Sequence, residues 1–249
     1  MTMQDHSYLG SGKLMLREFG SATPFDDAGN CSALTLSPQA NTLSLPDYTQ
    51  PGGGERNRVD RVTGVNMSFT FHDFAPSNFA RSLRGTTAAV AAGTVTDEEL
   101  VAYKGGFTPF ERIASALTTV EPAGGGTAYT AGTDYVFQDG GIFIPSTSTI
   151  PDPVAGAANI QVTYTNAAQK VTQALVNPAK QYEALFLGLN EAQSGKEVRV
   201  RIHKISGGVL QELGLLGEQY GAGTVEGGLL TDTSKGAGLS KYFTVEQVD

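Results

Sequence analysis

Hydrophobic and polar residues along this chain alternate with a period of two. Val65, Met67, Phe69 and Phe71 alternate with Asn66, Ser68, Thr70 and His72. That is the pattern of a strand with one face buried and one face wet. Ile160, Val162 and Tyr164 repeat it, and so do Val198, Val200 and Ile202 against Arg199, Arg201 and His203. Leu34 with Leu36 and Leu43 with Leu45 predict two shorter pieces. Residues 14–19, 182–189, 209–216, 224–231 and 241–248 are further strand candidates. Gln138-Asp139-Gly140-Gly141 separates Tyr135–Phe137 from Ile142–Ile144 and reads as a hairpin turn, since glycine reaches positive φ cheaply.

Helical signals are few. Pro76 suits a first helical position, Phe79 and Leu83 share a face, and Gly85 can close the C-terminus. Ala75 is a poor N-cap, so Asp73 or Ser77 is the expected capping residue. A weaker helix is predicted over 167–176, stopped by Asn177-Pro178. The class is mainly β with one short helix.

The segment Pro46–Thr63 shows neither period and reads as a long loop. It holds Asp47, the run Gly52-Gly53-Gly54, and then Arg56, Arg58 and Arg61. Loops of that length in compact domains are usually functional or ordered by a partner.

Charge changes the picture in the middle of the chain. Of the 249 residues, 17 are basic and 25 acidic, net −8. Residues 1–92 and 167–249 each carry −1, whereas 93–166 carry −6. That middle stretch is also rich in Pro and Gly between short strands. It reads as a small β-sandwich of immunoglobulin-like type inserted into a discontinuous core of 1–92 and 167–249.

Several classes fall away on composition. A single cysteine, Cys31, permits no disulfide framework within the chain and is expected to be a buried thiol. No apolar run approaches membrane-spanning length, and the opening MTMQDHSYLG has no signal-peptide core. The expectation is a soluble, intracellularly made protein. An acidic balance disfavours a general nucleic-acid binder.

Catalytic chemistry finds no foothold. His6, His72 and His203 lie in separate segments, and no Gly-x-Ser-x-Gly elbow or zinc-ligand spacing occurs. Gly12-Lys13 fails as a phosphate loop, because Ser7 stands where the first glycine belongs and Leu14 where a hydroxyl should follow. We expect no enzyme activity, no cofactor and no metal.

Three stretches together resemble the major tail tube proteins of tailed bacteriophages. They are GVNMSFTFHDFAPSNFARSLRG (64–85), DYVFQDGGIFI (134–144) with NIQVTYT (159–165), and YEALFLGLNEAQSGKEVRVRIHKI (182–205) with the closing segment containing Leu229-Leu230-Thr231-Asp232. The resemblance implies a tail-tube β-sandwich or barrel with a flanking helix. It implies hexameric rings stacked into a virion tail tube, assembled in the host cytoplasm, through which the genome is ejected without specific DNA binding. It also implies contacts with tape-measure, tail-terminator and distal tail proteins, and none with a membrane. On that mapping Asp47, Gly52, Gly53, Gly54, Arg56, Arg58 and Arg61 form the inter-ring contact loop, and 93–166 face outward. The Arg199, Arg201, His203 row is expected away from the lumen, where it would grip phosphates. An effector-delivery tube protein of a bacterial secretion system and a receptor-binding virion β-sandwich are the alternative readings.

Overall fold

The structure, a computed structural model, describes residues 5–49 and 51–248. The chain forms two compact units, Met1–Thr87 with Thr172–Asp249, and Ala88–Val171. The first begins with β1 (Gly10–Glu18), β2 (Asp26–Asp27), β3 (Cys31–Pro46), β4 (Glu55–Phe71) and helix α1 (Pro76–Ser82). β5 (Thr86–Val90) follows at the boundary. The second unit holds β6 (Gly93–Leu100), β7 (Phe107–Pro109), β8 (Ala114–Pro122), β9 (Val136–Gln138), β10 (Gly141–Phe143) and β11 (Ile160–Asn166). β12 (Gln169–Gln173) leads back to β13 (Gln181–Asn190), β14 (Lys196–Ser206), β15 (Val209–Leu213), β16 (Gly223–Gly228) and β17 (Phe243–Gln247). The protein is mainly β, its sheets are antiparallel, and among the described residues none closes into a barrel.

The first unit packs a five-stranded sheet, β17-β14-β13-β1-β2, with a four-stranded sheet, β15-β16-β4-β3. The alternation dictates which side is buried. Val65, Met67, Phe69 and Phe71 point into the same core as Leu14, Leu16, Ala184 and Ile202. Val198 is buried as well, while Arg199 and Arg201 are exposed. An aromatic chain carries the core to the helix: Phe71 meets Phe74 edge-on at 6.1 Å, and Phe74 meets Phe79 at 5.4 Å.

The helix differs from expectation at both ends. Ala75 is the N-cap and receives no side-chain bond. The Asp73 carboxylate is used elsewhere, accepting from the Asn30 N–H at 2.8 Å. Buried Asn78 fixes the helix instead, donating to the Ala28 and Asp73 carbonyls at 2.9 Å each. At the other end Arg84, not Gly85, takes the left-handed conformation (φ 49°), and the Gly85 N–H closes on the Ala80 carbonyl. Gly85 is required for space, because a Cβ there would collide with the Gln173 carbonyl.

The predicted helix over 167–176 is a strand. β12 pairs with β5 in a two-stranded sheet, and this pairing overrides the weak helical spacing. It also moves the boundaries of the inserted unit to Ala88 and Val171, from the expected 93 and 166.

The second unit contains two three-stranded sheets, β7-β10-β9 and β6-β11-β8, around Ile142, Ile144, Ile150, Ile160, Val162 and Tyr164. Tyr164 is fully buried and stacks on Phe110 at 4.7 Å. Its hydroxyl donates to Glu98 at 2.6 Å and accepts the Arg112 N–H at 3.2 Å. Burial, and then the bond to Glu98, push the phenol up to about 12. Tyr164→Phe leaves both partners unmet, so chemical denaturation should show a loss of about 1–3 kcal/mol.

Cys31, expected to be buried, is half-exposed at the start of β3. Partial burial, followed by the nearby Asp27 and Asp73 carboxylates, pushes its thiol up to about 11 from an ordinary 9.0. The thiolate is therefore scarce below that pH. Alkylation of the native protein at pH 8 should run roughly 100-fold slower than in urea, accelerating only as pH nears 11.

Candidate functional site

The residues singled out between Asp47 and Arg61 do not form one long loop. β3 and β4 pair from Cys31 opposite Phe71 out to Pro46 opposite Glu55. The loop proper is only the tip, Asp47–Gly54. The Asp47 N–H donates to the Gly54 carbonyl at 2.7 Å and closes it. The Asp47 carboxylate accepts the hydroxyl and the N–H of Thr49, which hold it below the usual carboxylate range, with the hydroxyl as the larger cause. Gly52, Gly53 and Gly54 all have positive φ, at 104°, 68° and 145°, so this turn needs glycine for its backbone.

Beyond the tip stands an arm. β16 covers β4 only from Asn66 to Phe71. Outside that span β3 and β4 have only each other as sheet partners among the described residues. Every residue of Ser37–Pro46 and of Glu55–Thr63 is exposed. Sequence periodicity is blind to such a ribbon, because alternation appears only where one face is buried. That is why 46–63 reads as loop. The charged run from Glu55 to Asp60 hides a strand that is wet on both sides.

A bulge separates arm from core. The register shifts between Gln39 opposite Gly64 and Ala40 opposite Val62, leaving Thr63 as the extra residue. One added residue reverses the parity of β4. Odd positions that point into the core at Val65–Phe71 point to the opposite face at Arg61, Val59 and Asn57.

The two faces of the arm differ in chemistry. One carries Thr42, Asp60, Ser44 and Arg58, with Ala40 and exposed Val62 nearer the bulge. Thr42 donates to Asp60 at 2.6 Å, and Arg58 pairs with Asp60 at 3.2 Å. That network satisfies itself. The other face sets Leu43 directly opposite Val59, with Leu45, Asn41 and Arg61 beside them. Leu43, Leu45 and Val59 remain 49%, 52% and 46% exposed. Among the described residues no ion pair takes Arg56 or Arg61. The three arginines thus share a strand without sharing a face or forming one cluster. The apolar residues Leu43, Leu45 and Val59 are the part of this surface that residue-type reasoning passes over.

Elsewhere among the described residues, no group of three or more His, Cys, Asp or Glu is placed to hold a metal ion. No described helix is long and apolar enough to cross a membrane. His203 is half-buried, and burial, then nearby Lys235, lower its pKa.

An isolated two-stranded ribbon is marginal in water. In dilute, unassembled protein the arm amides outside Gln39 and Gly64 should exchange within seconds to minutes, while those of Val65–Phe71 stay protected. Trypsin should cut first at Arg56, Arg58 and Arg61. Hydrogen-exchange mass spectrometry and limited digestion check this, and a protected arm in the monomer contradicts it. The model of a family described as protein of unknown function UCP028589 matches residues 7–246. No curated protein matches the chain.

Proposed function

For a chain that belongs to this family of unknown function, we propose a structural role: self-assembly into stacked rings forming the tail tube of a bacteriophage virion, the conduit for its genome. The observation that carries the reading is the arm, which leaves its fold with an exposed apolar row and with Arg56 and Arg61 in no ion pair among the described residues. A ribbon of this length is an aggregation hazard unless a defined partner covers it. Self-assembly supplies that partner in a fixed geometry. A head-to-tail contact that closes by rotation makes a ring, and one that does not close makes a filament.

Three features support the reading beside the arm. The resemblance in sequence spans most of the chain. Among the described residues no further strand pairs with the outer edges of the five-stranded sheet at β17 and β2, which allows sheets of neighbouring copies to join. Its outer face sets Lys13, Leu187, Arg199 and Glu246 in one cross-strand row, mixed in charge, with Arg199 paired to Glu246. In this reading Asp47 and Gly52–Gly54 shape the tip, and Arg56 and Arg61 meet acidic groups of an adjacent ring. The other tail proteins that the resemblance implies would cap and fill the tube.

Negative-stain microscopy of the purified full-length chain tests this. Hollow tubes are expected for the natural sequence. The triple variant Leu43→Ser, Leu45→Ser, Val59→Ser should raise the concentration needed for tubes by roughly tenfold or more. Isolated monomers or trimers of the natural sequence at every concentration would overturn the proposal. Short ring stacks without filaments would favour a delivery tube of a secretion system.

A further inference from the structure

The arm is only one end of its sheet. β4 runs from Glu55, next to the arm tip, to Phe71, and Phe71 lies opposite Gly223 at the start of β16. β15 and β16 form a hairpin in which Leu213 opposes Gly223. Their connection, 214–222, therefore projects from the end of the sheet opposite the arm. Its base is held firmly. The Gly214 N–H donates to the Ala222 carbonyl at 3.1 Å, and His72 Nδ1 donates to the Gly221 carbonyl at 3.1 Å. The Phe74 ring lies against Gly221 so closely that a Cβ would meet it at 2.8 Å.

The tip of this loop is bare. Leu216 is 99% exposed and Tyr220 96%, with Leu215 beside them and Glu218 between. Two such residues presented on an anchored loop are unusual on a free surface, and Tyr is enriched among the residues that dominate interfaces. The electrostatics match the arm in the opposite sense. No Lys or Arg occurs between Lys204 and Lys235, while Glu212, Glu218 and Glu226 do. The apolar face of the arm is bordered by Arg61. One surface is apolar with a cation that takes no ion pair among the described residues, the other apolar with anions.

We propose that these two surfaces are the halves of one contact: Leu43, Leu45 and Val59 of one copy seat on Leu216 and Tyr220 of the next, with Arg61 facing Glu218. The occupant is a second copy because the chain cannot satisfy itself. Val59 and Phe71 lie on one extended strand, about 40 Å apart at ~3.3 Å per residue, so the arm does not reach its own loop. Two different surfaces at opposite ends of one sheet make a head-to-tail contact, which propagates along an axis. This inference rests on the tube reading and specifies which surface receives the arm.

The test uses the full chain and two variants at exposed positions. The loop variant is Leu216→Ser with Tyr220→Ser, and the arm variant is the triple substitution above. Circular dichroism and melting temperature establish that both fold as the natural chain does. Each variant alone should need roughly tenfold or more protein to polymerise. Mixed in equal amounts, they retain one good arm and one good loop between them. Sedimentation velocity should then show a single added step of association, without filaments. A loop variant that polymerises at the natural concentration overturns this inference and leaves the tube reading standing. So does a mixture that gains no association beyond its components. A natural chain that never assembles overturns the tube reading and this inference with it.

Discussion

The first unit depends on β4 serving two environments along one continuous strand. From Val65 to Phe71 it is an interior strand, hydrogen-bonded on both edges and packed on one face. From Glu55 to Thr63 the same strand has, among the described residues, one neighbour and no core. The outer half gains almost nothing from burial, yet it costs backbone entropy on the order of 1–2 kcal/mol per residue to order. What holds it in register is the buried half, which fixes the strand direction, together with the closed turn at Asp47–Gly54. Loss of Met67 or Phe69 from the core would therefore be felt at the arm as well. Burial in one place is what presents exposed surface in another.

The bulge at Thr63 makes that arrangement useful. Without it, Val59 and Arg61 would continue the row of Val65 and Met67, parted from Leu43 and Leu45, which lie on the opposite face of β3 in either case. With it, Val59 joins Leu43 and Leu45 on the opposite side, and the core-side face carries the Thr42, Asp60 and Arg58 network beside exposed Val62. On one face the polar groups of the network meet one another, and on the other three exposed apolar side chains stand together. The face with Leu43, Leu45 and Val59 has the larger apolar area to bury against a partner.

How much of this is legible in the sequence follows from where water lies. Strands with one buried face announce themselves, so Val65–Phe71, Ile160–Tyr164 and Val198–Ile202 stand in the structure where alternation puts them. The short helix is legible from Pro76, although its caps are not, because Asn78 reaches residues distant in sequence. The strand at Gln169–Gln173 is hidden by its small and polar residues, since its partner lies some eighty residues away. The arm is hidden for a different reason: alternation needs a wet face and a dry face, and it has two wet ones. Glycines and arginines between 47 and 61 mark the place, but Leu43, Leu45 and Val59 reveal their role only once the register is known. Leu216 falls within the strand expected over 209–216, which ends at Leu213, and Tyr220 lies outside every expected strand, so their exposure is seen only in the structure.

The pairing of β5 with β12 has an evolutionary consequence. The two passages of chain that bound residues 88–171 lie side by side, about 5 Å apart as neighbouring strands do. A gene can lose the whole stretch, or exchange it for another domain, and the gap left behind is one that a two-residue turn spans. The core strands on either side keep their neighbours through such an event. The ladder at Thr86–Val90 and Gln169–Gln173 thus brings the two ends of the acidic stretch together within one small sheet.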